Sequence, residues 1–148
     1  MAVPEAKLVE KSGGLTPDGP GWFIMNVADA LSYKHPTSGQ YISFEGKDRF
    51  PHYGIGIHVV WPGQASAMYH AESNQESFMV LEGECRLLVE GEERIMRKWD
   101  FFHCAPMTRH ITIGAAEGVK NYTLLYLLGG ALALVGAALI IFKVKTVR

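Results

Sequence analysis

Short apolar runs broken by glycine and proline dominate the chain up to about residue 120. WFIMN (residues 22–26) follows a Gly-Pro-Gly break, Tyr41–Phe44 ends at Glu45-Gly46, and the β-branched run IGIHVVW (55–61) stops at Pro62-Gly63. Ser77–Leu81 ends at Glu82-Gly83, and Cys85, Leu87 and Val89 then alternate with Arg86, Leu88 and Glu90. Period-2 alternation puts alternate side chains on opposite faces of a strand. Glu90-Gly91-Glu92 reads as a hairpin turn into Arg94–Met96. Phe101–Cys104, Arg109–Ile113 and Tyr122–Leu127 complete a series of short strands at about ten-residue spacing, the rhythm of an all-β sandwich or barrel. Ala28–Tyr33 predicts a single helical turn. Gly, Pro and Asp dominate residues 13–21, so residues 1–20 are expected to be a flexible lead-in.

The end of the chain breaks this pattern. Leu124–Phe142 holds nineteen uncharged residues, about 28 Å as a helix at 1.5 Å per residue. That approaches the ~30 Å of a bilayer core, which predicts a transmembrane-type helix over residues 129–148. Gly129, Ala133 and Ala137 form a small-residue stripe on it, and Lys143 and Lys145 would mark the headgroup boundary. A final strand at residues 122–127 competes for the same residues, and would leave about 18 Å of uncharged helix.

Length and charge narrow the classes. A chain of 148 residues forms one domain by the usual size prior. The net charge of −1 gives no electrostatic argument for nucleic acid. Charge is uneven: up to Lys120 there are 11 basic against 15 acidic residues, and Lys143–Arg148 adds three basic ones. Two cysteines, Cys85 and Cys104, lie in apolar runs and read as free thiols rather than a disulfide framework. No apolar stretch near the N-terminus resembles a secretory signal.

Candidate chemistry lies between Tyr69 and Gly114. His70 and Glu72 share strand parity, Glu76 follows four residues on, and His110 comes from a distant strand. Two histidines with one or two carboxylates suit Zn, Fe, Mn or Ni as the divalent ion and leave positions open for water or substrate. Glu90–Lys98 is a mixed-charge run expected to be a solvated hairpin face. Met68, Phe78, Leu87, Phe101 and Trp61 are expected in the core, and His103 on the surface. His35, His52 and His58 have no motif context.

The spacing His70-x-Glu72-x3-Glu76-x6-Gly83, with Trp99-Asp100 and His110 after it, resembles the two motifs of the cupin superfamily, and most closely its small bacterial single-domain members. Glu72 stands where the second motif histidine would be. Ala105 and Met107 stand where the second motif has proline and glycine, and Gly114 where it has asparagine. The resemblance implies a jelly-roll-like β-barrel over residues 21–128. It implies a divalent metal held by His70, Glu76 and His110, with Glu72 or Cys104 as a further donor. Barrel and tail together predict a single-pass, tail-anchored membrane protein with its barrel in the cytoplasm. Its expected role is an accessory subunit of a membrane-protein complex, alone or as a homo-oligomer. The competing expectation is a metal-dependent oxygenase or isomerase acting on a small molecule.

Overall fold

A computed structural model of the chain describes residues 2–114 and, as a strand, residues 123–130. In chain order its strands are β1 (Lys7–Lys11), β2 (Gly14–Asp18), β3 (Ser32–His35), β4 (Gly39–Ser43), β5 (Gly54–Val60), β6 (Gln75–Glu82), β7 (Glu84–Val89), β8 (Glu92–Arg97), β9 (Phe101–Cys104), β10 (His110–Gly114) and β11 (Thr123–Gly130). They form a six-stranded sheet in the order β3-β4-β5-β11-β6-β9, a three-stranded sheet β10-β7-β8 and the hairpin β1-β2. Among the described residues these strands pair antiparallel throughout. The all-β expectation therefore holds over the described residues.

The alternation read from the sequence is what packs the two sheets. Val60, Val80, Cys85, Leu87 and Met96 form one buried cluster, drawing β5 and β6 from one sheet and β7 and β8 from the other. Fully burying side chains such as Val60 and Val80 is worth about 1.5–3 kcal/mol each. The opposite face of the large sheet has its own cluster, Ile42, Ile57 and Leu81 with Ala30. Met25 and Val27 pack against it, so residues 22–30 act as a cover. That accounts for the WFIMN run: Trp22 makes one bridge to Glu5, and the run is not a ladder strand.

Several expectations are corrected. The lead-in is structured over residues 7–18, because Gly13 and Gly14, at φ 109° and 133°, let β1 reverse into β2. Ala28–Tyr33 is not helical. The Asn26 side chain accepts a hydrogen bond from the Ala28 amide at 2.8 Å, closing a local turn before β3. Phe78 and Leu87 are buried as expected, whereas Met68, Phe101 and Trp61 are exposed. β11 fills the gap between β5 and β6, so Gly129 and Gly130 belong to a strand and not to the expected helix. The competing strand wins there because both of its edges find ladder partners. Ala133, Ala137 and the rest of the expected helix lie outside the described residues. Among the described residues no helix is long and apolar enough to cross a membrane.

Gly114 sits where two segments cross. Its amide donates to the Gln64 carbonyl at 2.8 Å, and a Cβ built on it would lie 2.2 Å from the Trp61 carbonyl oxygen. Backbone cannot swing aside as a side-chain tip can. Gly114→Ala is therefore expected to cost about 2–3 kcal/mol, read as an earlier urea midpoint.

Candidate metal centre

His110 opens β10 and is 1% exposed. His70 lies in the loop after β5, yet its backbone pairs with that of His110. The His110 amide donates to the His70 carbonyl at 2.8 Å, and the His70 amide to the His110 carbonyl at 3.2 Å. Directly opposed antiparallel residues put their side chains on the same face, and the two rings stand 5.1 Å apart. Glu76 arrives from the other sheet, near the start of β6, and is 9% exposed. His70, Glu76 and His110 each offer one ligand atom, and the three atoms lie within 4.8 Å of one another.

The imidazoles are oriented by the backbone. His70 Nδ1 is 2.6 Å from the Met68 carbonyl oxygen and His110 Nδ1 is 2.9 Å from that of Thr108. Carbonyls only accept, so each Nδ1 carries the proton and each Nε2 keeps its lone pair in the neutral ring. Such partners behind a metal-binding histidine fix both its tautomer and its aim. His110 Nε2 lies 3.1 Å from Glu76 Oε2. Both atoms are buried and neither has an aligned hydrogen bond. Two buried acceptors facing each other repel unless a cation sits between them. The contact with Glu76 raises the His110 pKa above its usual value, against the lowering effect of burial. A proton answers that need in part, and a divalent ion answers it for both atoms and for His70. The donor set thus fits a divalent metal.

The two further donors lie at the margin of this cluster and outside the set of three. Glu72 Oε1 is 3.6 Å from His70 Nε2, on the half-exposed rim. The Cys104 sulfur is 3.8 Å from Nδ1 of His110, behind the ring and away from the ligand atom. Burial raises the Cys104 pKa, which favours the thiol over the thiolate that metals bind. Phe78 and Phe102 close the apolar side, with ring centroids 5.2 and 5.8 Å from that of His110. His103 is exposed on the other face of β9, 2.9 Å from the Ser77 hydroxyl. Glu90, Glu92, Arg94 and Lys98 are exposed and ion-paired, as expected of a solvated hairpin.

Two bends are built without the glycines of the motif. Trp99 has φ 74° and Met107 φ 66°, both in the left-handed region. The Met107 amide donates to the Glu72 carbonyl at 2.7 Å and the Trp99 amide to that of Val80 at 2.7 Å, so ladder-like bonds hold both residues there. The motif departure at Met107 therefore leaves the bend intact.

Of the three histidines that the sequence left without motif context, the one drawn into the interior is His58 of β5. Its Nδ1 is buried without a partner. Burial pushes its pKa down to about 4, with the Glu76 charge acting weakly the other way. A polar residue inside the apolar run IGIHVV was the signal for it.

Residues 56–128 match the family described as Cupin domain. No curated protein matches the chain. An RmlC-like cupin from Shewanella frigidimarina is similar in structure, at TM-score 0.61 and 13% identity over 74% of this chain and 91% of that one. KdgF from Halomonas sp. aligns at TM-score 0.60 and 18% identity over 76% of this chain and 96% of the other. The polyketide cyclase RemF from Streptomyces resistomycificus aligns at TM-score 0.62 and 12% identity, over 74% and 79%. One longer match is covered over only 51% of its own length. The family match and these fold neighbours support the cupin superfamily.

Two predictions follow from the geometry. His58 must bind a proton on unfolding below its ordinary value of 6.5, so it contributes stability above that pH which is lost as pH falls towards about 4. The loss is at most about 3 kcal/mol, and His58→Phe is expected to flatten the stability profile in that window, measured by urea midpoints at each pH. Met107→Val forces a β-branched residue into a left-handed backbone and is expected to cost about 1–3 kcal/mol, while Met107→Gly holds or raises the melting temperature.

Proposed function

We propose that the chain is a divalent-metal-dependent cupin that performs proton-transfer chemistry, of the isomerase class, on a small molecule. The observation that carries this reading is the meeting of two buried, unaligned acceptors, His110 Nε2 and Glu76 Oε2, beside His70. A divalent ion there would act as a Lewis acid on a substrate carbonyl or hydroxyl oxygen. The chain's own groups supply the rest. His70 and His110 are held with Nε2 forward by the Met68 and Thr108 carbonyls. Phe78 and Phe102 keep water from one side of His110. In this reading Glu72, beside His70 on the open rim, takes the proton from bound substrate. Enzymatic use of this fold in a neighbour, the polyketide cyclase, supports the reading.

A second reading rests on the uncharged run of residues 124–142: a membrane-held accessory module with its barrel in the cytoplasm. With residues 123–130 in β11, residues 131–142 precede Lys143, about 18 Å as a helix. That falls short of a ~30 Å span, so an anchor would also draw on Val144–Val147. Recovery of the full chain only in detergent-solubilised membranes would favour it.

Purified protein offered Fe(II), Mn(II), Ni(II) or Zn(II) is expected to retain about one ion per chain by elemental analysis. His70→Ala and His110→Ala should lose most of it, and Cys104→Ser should keep it. A wild-type chain that retains no divalent metal overturns the proposal. In D2O the loaded protein should exchange hydrogens next to the carbonyl of hydroxy ketones, with Glu72→Gln slower by about a hundredfold or more.

A further inference from the structure

The strand register places a second polar group on the face that carries Glu76. Across β5, β11 and β6, Gly54 stands opposite Gly129 and Gly129 opposite Glu76, while His58 stands opposite Leu125 and Leu125 opposite Val80. Opposed residues share a face, and so do residues two apart. His58, Gly56 and Glu76 therefore belong to the face between the two sheets. β4 extends it, with Tyr41 opposite His58 and Ser43 opposite Gly56.

The rings of Tyr41 and His58 are 4.8 Å apart and tilted by 51°. Gly56 makes room for the phenol. A Cβ at Gly56 would lie 2.3 Å from the Tyr41 ring and 2.6 Å from its hydroxyl. The ring thus lies across the bare strand, with its hydroxyl near the side chain of Ser43, whose own hydroxyl accepts from the Glu45 amide at 3.2 Å. His58 Nδ1 is buried beside it with no partner. A histidine that served only as core would usually have both nitrogens satisfied.

We propose that Tyr41, Ser43 and His58 form an oxygen-binding subsite for an uncharged hydroxyl or carbonyl group of the molecule processed at His70, Glu76 and His110. This rests on the proposed function of that face. The chemistry selects the ligand class. His58 is neutral near pH 7 and offers one N–H and one lone pair, and the Tyr41 phenol, with its pKa raised by burial, stays protonated. Arg49, the cation whose charge reaches Tyr41, is largely exposed and paired with Glu45 at 2.9 Å. Three neutral groups and an already paired guanidinium suit a polyol or hydroxy ketone, not its phosphate ester, whose burial would need an unpaired cation.

The test separates the subsite from the metal site. Metal content is measured first, on wild type, Tyr41→Phe and His58→Gln. Saturation-transfer NMR then screens uncharged three- to six-carbon polyols and hydroxy ketones, with their phosphate esters alongside. At least one uncharged compound should bind the loaded wild type. Its affinity should fall about tenfold in Tyr41→Phe and in His58→Gln, with metal content unchanged. Tyr41→Phe keeps the ring over Gly56, so an unchanged melting temperature makes a folding defect irrelevant. Binding of no uncharged compound, tighter binding of the esters, or unchanged affinity in both variants overturns the subsite. A wild type without metal instead overturns the function on which it rests.

Discussion

His70 belongs to a loop and His110 opens a strand, and two main-chain hydrogen bonds between them bring the loop onto the edge of the small sheet. Those bonds set the side chains of both residues on one face. They also end the long connection between β5 and β6 in time for Glu76 to enter from the large sheet. Met107 adds a third tie, from its amide to the Glu72 carbonyl, and accepts a left-handed backbone to make it. Left-handed backbone at a non-glycine residue costs on the order of 1–3 kcal/mol and persists where surrounding bonds over-determine it. Here the surrounding bonds are those that assemble the donors.

The interior shows why the site is more than a polar defect in a small core. Val60, Val80, Leu87 and Met96 supply apolar burial between the sheets, and Phe78 and Phe102 continue it to the ring of His110. In that setting a carboxylate and an imidazole nitrogen meet without an aligned hydrogen bond. Buried polar groups are normally paired, and a site that leaves two acceptors facing each other is complementary to a cation. Cys85, by contrast, is a buried thiol pushed up to about 12, and serves as a small apolar side chain.

Much of this was legible in the residues. Short apolar runs bounded by Gly and Pro breakers, with period-2 alternation in Cys85–Glu90, marked β5–β10 to within a few positions, because each strand must bury at least one face and stop at a turn. His70, Glu76 and His110 carried the family spacing. The N-terminal hairpin was hidden because Gly13-Gly14 reads equally as a flexible breaker and as a tight reversal, and only its partners decide between them. His58 was passed over since a lone histidine in an apolar strand carries no spacing signal. Its meaning depends on Tyr41, seventeen positions earlier in sequence and opposite it across the ladder.

The sequence by itself determined the strand rhythm, the turn positions and the donor residues, since these depend on local alternation and on the chemistry of single side chains. Tertiary structure alone decided which donors converge. Glu72 has the right parity but remains at the rim beside His70, and Cys104 lies behind His110 and not in front of it. It also decided how residues 123–130 are used: the same apolar letters read as membrane helix or as strand, and the open slot between β5 and β6 takes them as a strand. The physical reason is common to both outcomes. Strand parity says which face a residue shares, but distance across the sheets depends on how two faces pack, and that is a property of the whole core.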